Sequence, residues 1–339
     1  MKSLQKTKHI KRIKIPALAL FCMILSSLFF TACSPQSATV TPGISGNVIV
    51  TNTNSSSVVE VDTVTTDTVF NIKLPIKPTQ VILSPSGIKA YVISSTSNKV
   101  YMINTLGQSI AGYFKLPGDP LDFVISPADN FLNAYVILAN TNKVAVVNLL
   151  TNHISGTFYA GSDPTSIAIS KSGLLGFITD YKSNELNVVD LINYRTKFFI
   201  SVGEEPISVA ITPNGGTAMV VCQGSNSVYP LNLNTFKLEP SIFVGQSPNN
   251  IIVDNYISKA YVSRSNQNQV TPIDLIKNVA LIPIVTSGIV QDIAVSKNGY
   301  NLFVAQTDPN QLTVIPVYLQ SDAFSVKLNF NPTSVMPLS

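Results

Sequence analysis

Few side chains in this sequence are equipped for chemistry, and their positions limit what that chemistry can be. There are two histidines, His9 and His153, and three cysteines, Cys22, Cys33 and Cys222. A serine-type triad needs a histidine oriented by a carboxylate beside a nucleophile. His9 lies in a basic N-terminal stretch, and His153 sits in the turn Leu150-Thr151-Asn152-His153, a place for a solvated loop residue. The chain has no Cys-x-x-Cys-His haem attachment, no histidine cluster for zinc, no glycine-rich phosphate loop and no EF-hand loop. We assign no catalytic residue, no metal site and no cofactor from the sequence. Tryptophan is absent, which weakens a sugar-stacking site without excluding one built on tyrosine.

Of the cysteines, Cys33 stands out because of what precedes it. Positions 1–15 are basic and positions 17–30 almost wholly apolar, the order of a secretory signal. That apolar run is short for a membrane span, which needs about 20 residues; a retained anchor helix is the competing reading. Phe30-Thr31-Ala32-Cys33 resembles a bacterial lipobox, with Phe30 where leucine is usual and Thr31, Ala32 and Cys33 matching. The resemblance implies that residues 1–32 are removed and that the Cys33 thiolate takes a diacylglyceryl group. The mature chain then starts with several acyl chains such as palmitate, each buried methylene contributing about 0.8 kcal/mol to membrane attachment. Ser34 rather than aspartate follows, which by the same resemblance implies the outer membrane in a Gram-negative cell and the cell surface otherwise. Residues 33–45 are rich in Pro, Ser and Thr and read as a flexible tether. Cys222 is then left unpaired, a small core hydrophobe rather than a reactive thiol.

Charge supports this division. Six of the 22 basic residues precede Cys33 and no acidic residue does, which leaves 16 basic against 18 acidic side chains. A nucleic-acid partner calls for a basic stripe, and the remainder shows none. The composition, 45% hydrophobic and only 12% charged, suits many short strands joined by polar turns.

The elements that must position any site announce themselves by repetition. Pro78, Pro120, Pro164, Pro206, Pro248 and Pro332 each open a similar stretch, with gaps of 42, 44, 42, 42 and 84; Val290 stands where the missing proline would fall. After each anchor comes an apolar strand, such as Ser166-Ile167-Ala168-Ile169, and then a turn, such as Thr212-Pro213-Asn214-Gly215. A second strand, a loop rich in Asn and Ser, a third strand ending in Asx and a less regular fourth strand complete the unit. Runs of four to five residues rich in Val, Ile, Tyr and Phe between Gly and Pro make a helical repeat a poor alternative. Four strands in about 42 residues is the pattern of a propeller blade.

Six complete units begin at Pro78 and end before Asn331. Residues 46–75 supply three further strands without a first, and residues 331–339 supply a first strand alone. The expected fold is therefore all-β: a seven-bladed β-propeller over residues 46–339, with four-stranded blades, closed by the N-terminal strands pairing with the C-terminal one. The series Asp62, Asn104, Asn148, Asp190, Asn232 and Asp274, broken only by Pro316, reads as a turn cap rather than a site. The units resemble the YVTN family of β-propeller repeats: Val50-Thr51-Asn52 matches literally, and Tyr91-Val92, Tyr135-Val136 and Tyr261-Val262 match its first half.

Propellers usually bind ligands at one mouth of the central channel, on the face bearing the loops between blades. The residues just before the anchors belong there, and three consecutive ones are acidic: Asp119, Asp163 and Glu205. They form a candidate ligand-binding arc for a cation or amine; the competing reading is that acid-proline pairs are ordinary turn openers. The functional expectation is an envelope lipoprotein whose propeller is a monomeric binding or scaffold module for a protein, glycan or small ligand, held to the membrane by its lipid, with no nucleic-acid partner. The alternative is a lactonase-like hydrolase acting at the channel mouth, since related seven-bladed propellers include lactone-hydrolysing enzymes; a redox-cofactor propeller lacks any ligand signature.

Overall fold

The repeat closes into a ring. The computed structural model describes residues 46–128, 132–318 and 323–338; the expectations for Cys33, the signal segment and the tether lie outside them. Among the described residues, thirty strands form seven separate antiparallel sheets, each a blade of a seven-bladed propeller. The innermost strands of blades 2 to 7 are Gln80–Leu83, Pro120–Ile125, Pro164–Ile169, Pro206–Ile211, Pro248–Val253 and Ile289–Val295. Blade 1 is composite. Its inner strand, Pro332–Pro337, comes from the end of the chain and pairs with Asn47–Asn52 in the register Val48↔Pro337, Val50↔Val335; Ser57–Asp62 and Thr68–Lys73 complete it. In blades 5 and 6 the outer strand is split in two around Pro240 and Pro283, which cannot donate to a ladder.

Burial explains the sequence pattern. The second strand of a blade is packed on both faces by its neighbours, so Lys89–Ser94 is buried from Ala90 onward and reads as an uninterrupted apolar run. The outer strand has one face in water, and Arg195–Ser201 alternates exposed with half-buried residues. Seven apolar clusters fill the seven interfaces between blades. Tyr91 of blade 2, for example, stacks on Phe123 of blade 3 at 5.5 Å, within a cluster that also holds Ile93, Val136 and Ala145. Burying each such side chain contributes roughly 1.5–3 kcal/mol.

Alternating strand direction gives the disc two distinct faces. The turns after first and third strands share one, as backbone bonds from Leu149 N to Leu132 O (2.7 Å) and Leu191 N to Leu174 O (2.9 Å) show. We call this the turn face. Gly46, where the described chain begins, lies on it, its carbonyl accepting from Thr63 Oγ1 at 2.8 Å. The six Asx residues cap turns there: Asp62 Oδ1 accepts from Val64 N, Asn148 Oδ1 from Leu150 N and Asp190 Oδ1 from Ile192 N, at 2.7–3.0 Å. Backbone hydrogen bonds hold the carboxyls of Asp190 and Asp274 below the usual aspartate range. The residue two beyond the cap points into solvent, and after five caps it is apolar: Val64, Leu106, Leu150, Ile192 and Ile276; in blade 7 Tyr318 takes the same place after Pro316.

The other face, the loop face, carries the blade-to-blade connections. Asparagines from the loops between second and third strands pin these connections: Asn142 Oδ1 accepts from Asp163 N (3.0 Å), Asn184 Oδ1 from Glu205 N (2.9 Å) and Asn226 Oδ1 from Ser247 N (2.9 Å). Close approach between connection and blade requires glycine at Gly161, whose φ is +121°. A Cβ there would collide with the carboxylate of buried Asp180, which accepts from Ser162 N.

Candidate functional site

All seven inner strands contribute to one cavity of about 480 Å³ at the loop-face mouth of the central channel. Its wall is built from the first and second residues after each anchor. The second of these forms a ring: Gln80, Asp122, Ser166, Ser208, Asn250, Asp292 and Ser334. Their inward aim has a backbone cause. In blades 3 to 7 the pairing of first and second strands slips at this point, between Pro164 and Ile167, for example, and between Pro206 and Ser208. Such bulges re-aim side chains at sites.

Hydrogen bonds run from blade to blade around the ring. Asp122 is the centre of one set: its Oδ1 accepts from Phe123 N (2.9 Å) and Gln80 Nε2 (3.4 Å), its Oδ2 from Ile167 N of the next blade (3.0 Å), and the Ser166 hydroxyl joins them. Asp292 repeats this arrangement with Ile293 N (2.9 Å), Asn250 Nδ2 (3.4 Å), Val335 N (3.0 Å) and the Ser334 hydroxyl. Ser208 Oγ donates to Asn250 Oδ1 (3.0 Å), Thr165 Oγ1 to Pro206 O (3.0 Å) and Thr53 Oγ1 to Pro78 O (2.5 Å). Each of the seven interfaces is thus bridged near the channel. A carboxylate offers about four lone-pair positions, and each aspartate meets four donors, so both are occupied in holding blades together. They stand three blades apart one way round and four the other.

Burial raises the pKa of both carboxyls, and the donors around them offset that only in part. Although both border the channel, protein surrounds them on every other side, so their charged forms lose most of their hydration. Burial likewise raises Glu60 and Asp180. An acid with a raised native pKa binds more protons folded than unfolded, so its contribution to stability falls as pH rises from its ordinary value, 3.8 for these aspartates, through the raised one. Asp190 and Asp274 act oppositely, losing their contribution only below that ordinary value. Stability is therefore expected to hold or increase on acidification from neutrality to about pH 4.5 and to decline below about pH 4. Thermal melts across this range test it; a Tm that drops steadily from pH 7 to pH 5 would contradict the assignment.

The acidic residues singled out by sequence take other places. Asp119, Asp163 and Glu205 all lie on the loop face but are not among the residues lining the cavity. Asp163 and Glu205 adopt left-handed backbone, φ +70° and +53°, in the connections pinned by asparagine. The Asp163 carboxylate pairs with Lys182 at 3.4 Å, and Glu205 accepts from the Tyr181 hydroxyl, raising the pKa of that tyrosine. Asp163 and Glu205 thus meet around Tyr181, while the Asp119 carbonyl accepts from Ala139 N. The channel ring itself was missed in the sequence, where its members read only as polar starts of apolar strands.

The cavity-lining residues include no histidine, cysteine or lysine. Only Asp122 and Asp292 among the cavity-lining residues are ionisable. Cys222 is a free, fully buried thiol whose pKa burial raises to about 12, which makes it inert. His153 is exposed, with Nδ1 2.7 Å from Thr151 O. Among the described residues no three His, Cys, Asp or Glu side chains group closely enough to hold a metal ion.

No protein-family model and no curated protein matches the chain. Solved structures do. A protein of unknown function from Desulfotomaculum acetoxidans superposes with a TM-score of 0.75 at 17% identity, over 86% of this chain and 99% of that one. A "putative 6-phosphogluconolactonase" from Bacteroides uniformis gives 0.73 at 13% identity, over 87% and 99%. A second protein so described, from Bacteroides fragilis, gives 0.70 at 14% identity, over 88% and 99%. At these identities the likeness is one of fold.

Proposed function

We propose that this chain is a non-enzymatic binding module of the cell envelope, built from YVTN-type repeats and carried on a lipid at Cys33. Its channel mouth receives a small, uncharged ligand rich in hydroxyl or amide groups, such as the end of a glycan. The observation that supports this reading is the composition of the cavity wall. Hydroxyl and amide side chains converge from all seven blades, both carboxylates are saturated by protein donors, and the wall has no lysine, arginine or histidine. Convergent polar groups of this kind fix orientation and specificity in a ligand pocket. Gln80 Oε1, in the same wall, is buried without a hydrogen-bond partner, so the protein leaves one amide acceptor unsatisfied. Asp119, Asp163 and Glu205 then form the approach to the mouth, favouring neutral or cationic ligands over anions.

A lactonase-like hydrolase is the competing reading, favoured by the fold shared with two proteins named for that activity. A phosphorylated lactone is an anion, however, and the cavity offers it two carboxylates and no cation. Titration calorimetry with neutral saccharides, gluconolactone and 6-phosphogluconate separates the two. Neutral saccharides are expected to bind at least about tenfold more tightly than the phosphorylated acid, with no lactone turnover. Lactone hydrolysis lost in a Glu205→Ala variant would replace the binding reading with the enzymatic one. Heat with divalent cations, lost in Asp163→Asn, would move the site to the acidic rim.

A further inference from the structure

The two faces of the disc differ sharply in what they show to solvent. On the turn face, the six apolar residues two beyond the ends of the third strands include Leu106, Leu150 and Ile276, at 77%, 73% and 81% exposure. Five more exposed apolar side chains, Ile88, Leu132, Leu174, Tyr256 and Tyr300, occupy the turns after the first strands on the same face. Among the described residues, the opposite face shows fewer exposed large apolar side chains, Leu121 at the channel mouth and Tyr159, Phe243 and Val285 at the ends of outer strands. Single exposed apolar residues need no explanation, but eleven on one face form a surface that solvent does not favour.

Three observations indicate what covers it. The described chain begins on this face, at Gly46, and twelve residues separate that point from Cys33. Fully extended, they reach no further than about 43 Å, so an anchor at Cys33 would keep this face within that distance of its membrane. Lys89, Lys171, Arg195, Lys237, Lys277 and Lys297 are exposed beside the apolar residues, whereas among the described residues Asp67 is the one fully exposed acid in these turns; Asp62, Asp190 and Asp274 are half-buried in their own caps. A basic border around an apolar surface matches an anionic lipid headgroup layer. The positions recur with the blade period, so the apolar tips lie around the whole face and suit a broad flat partner rather than a groove-filling peptide.

We propose that the turn face rests on the lipid bilayer, its apolar tips in the boundary between headgroups and acyl chains, so that the channel mouth is directed away from the membrane. This rests on the reading that Cys33 anchors the chain, and it adds an orientation that a tether alone does not impose.

The chain's lack of tryptophan makes the test direct. Leu150→Trp and Ile276→Trp place single reporters in blades 3 and 6 of the turn face, and Gln246→Trp places one on the loop face. Full-length protein is mixed with vesicles of phosphatidylcholine and phosphatidylglycerol, with and without doxyl-labelled lipid. The expected result is a blue shift and about twofold quenching at both turn-face positions, consistent with insertion of roughly 5–10 Å, and neither at position 246. Co-flotation with the vesicles reads the anchor separately. If the protein floats but all three reporters respond alike, the anchor stands and the docked orientation is overturned. If Cys33 carries no lipid, the comparison is made at millimolar lipid, where equal emission from the two faces again overturns the proposal. A blue shift that appears without vesicles and grows with protein concentration would assign the face to a second copy of the chain instead.

Discussion

Deleting residues 331–339 removes the fold's closure and is expected to lower the Tm by about 10 °C or more. The segment supplies the strand Pro332–Pro337, which lies against Asn47–Asn52 through five paired positions. Val335 is 1% exposed and belongs to the apolar cluster between blades 7 and 1, with Val48, Val50, Phe303 and Val314. Met336 and Leu338 pack against the cluster between blades 1 and 2. Each buried aliphatic side chain contributes roughly 1.5–3 kcal/mol, and each ladder hydrogen bond about 1 kcal/mol. Their sum is comparable with the 5–15 kcal/mol by which domains are typically stable. The shortened chain would also expose the inner edge of Asn47–Asn52, a template for aggregation. Circular dichroism melts of the purified chains decide the matter. A truncated protein that melts within about 2 °C of the parent would mean that ring closure contributes little.

The second large effect is expected from the two aspartates of the channel. In Asp122→Ala the amides of Phe123 and Ile167 lose their acceptor; in Asp292→Ala those of Ile293 and Val335 do. A buried amide left unpaired costs about 1–3 kcal/mol, so each variant is expected to lose about 2–6 kcal/mol, towards the lower end because channel water can reach part of the gap. The two sites share no partner, so their effects should add. Asparagine at either place keeps one acceptor oxygen and should cost less than alanine. Ser208→Ala, which loses the bond to Asn250 and a long one (3.4 Å) from Ile251 N, serves as the mild control. Urea unfolding provides the measurement. A double alanine variant with an unchanged midpoint would show that the carboxylates are not structural, and would return them to the pool of ligand-binding groups.

The architecture was legible because it is periodic. Anchors at Pro78 through Pro332, Asx caps from Asp62 to Asp274 and an orphan strand at each end specify seven units, and the structure shows each in its expected place. The channel was harder to read, for a physical reason. Charge drew attention to Asp119, Asp163 and Glu205, one residue before an anchor, where the structure shows left-handed, asparagine-capped connections at Asp163 and Glu205. The ring two residues after each anchor carries an equally regular signal, seven polar residues at the start of otherwise apolar strands. Strict alternation does not say whether such a residue faces a neighbouring blade or the axis, since a bulge at this point resets the phase. The apolar tips of the turn face were visible in sequence too, but without the fold they look like ordinary turn residues of unrelated loops.

The composite blade has a mechanical consequence. The first strand to leave the N-terminal connection, Asn47–Asn52, is gripped on both sides, by Ser57–Asp62 and by Pro332–Pro337. It enters from the turn face and runs towards the loop face, so a pull from the N-terminal side, such as the proposed anchor at Cys33 would exert, acts along the strand. Such a load must slide two ladders at once instead of peeling one open rung by rung. The seam where the circle is joined is also where tension from the proposed anchor would arrive, and in that geometry the join is loaded in its most resistant direction.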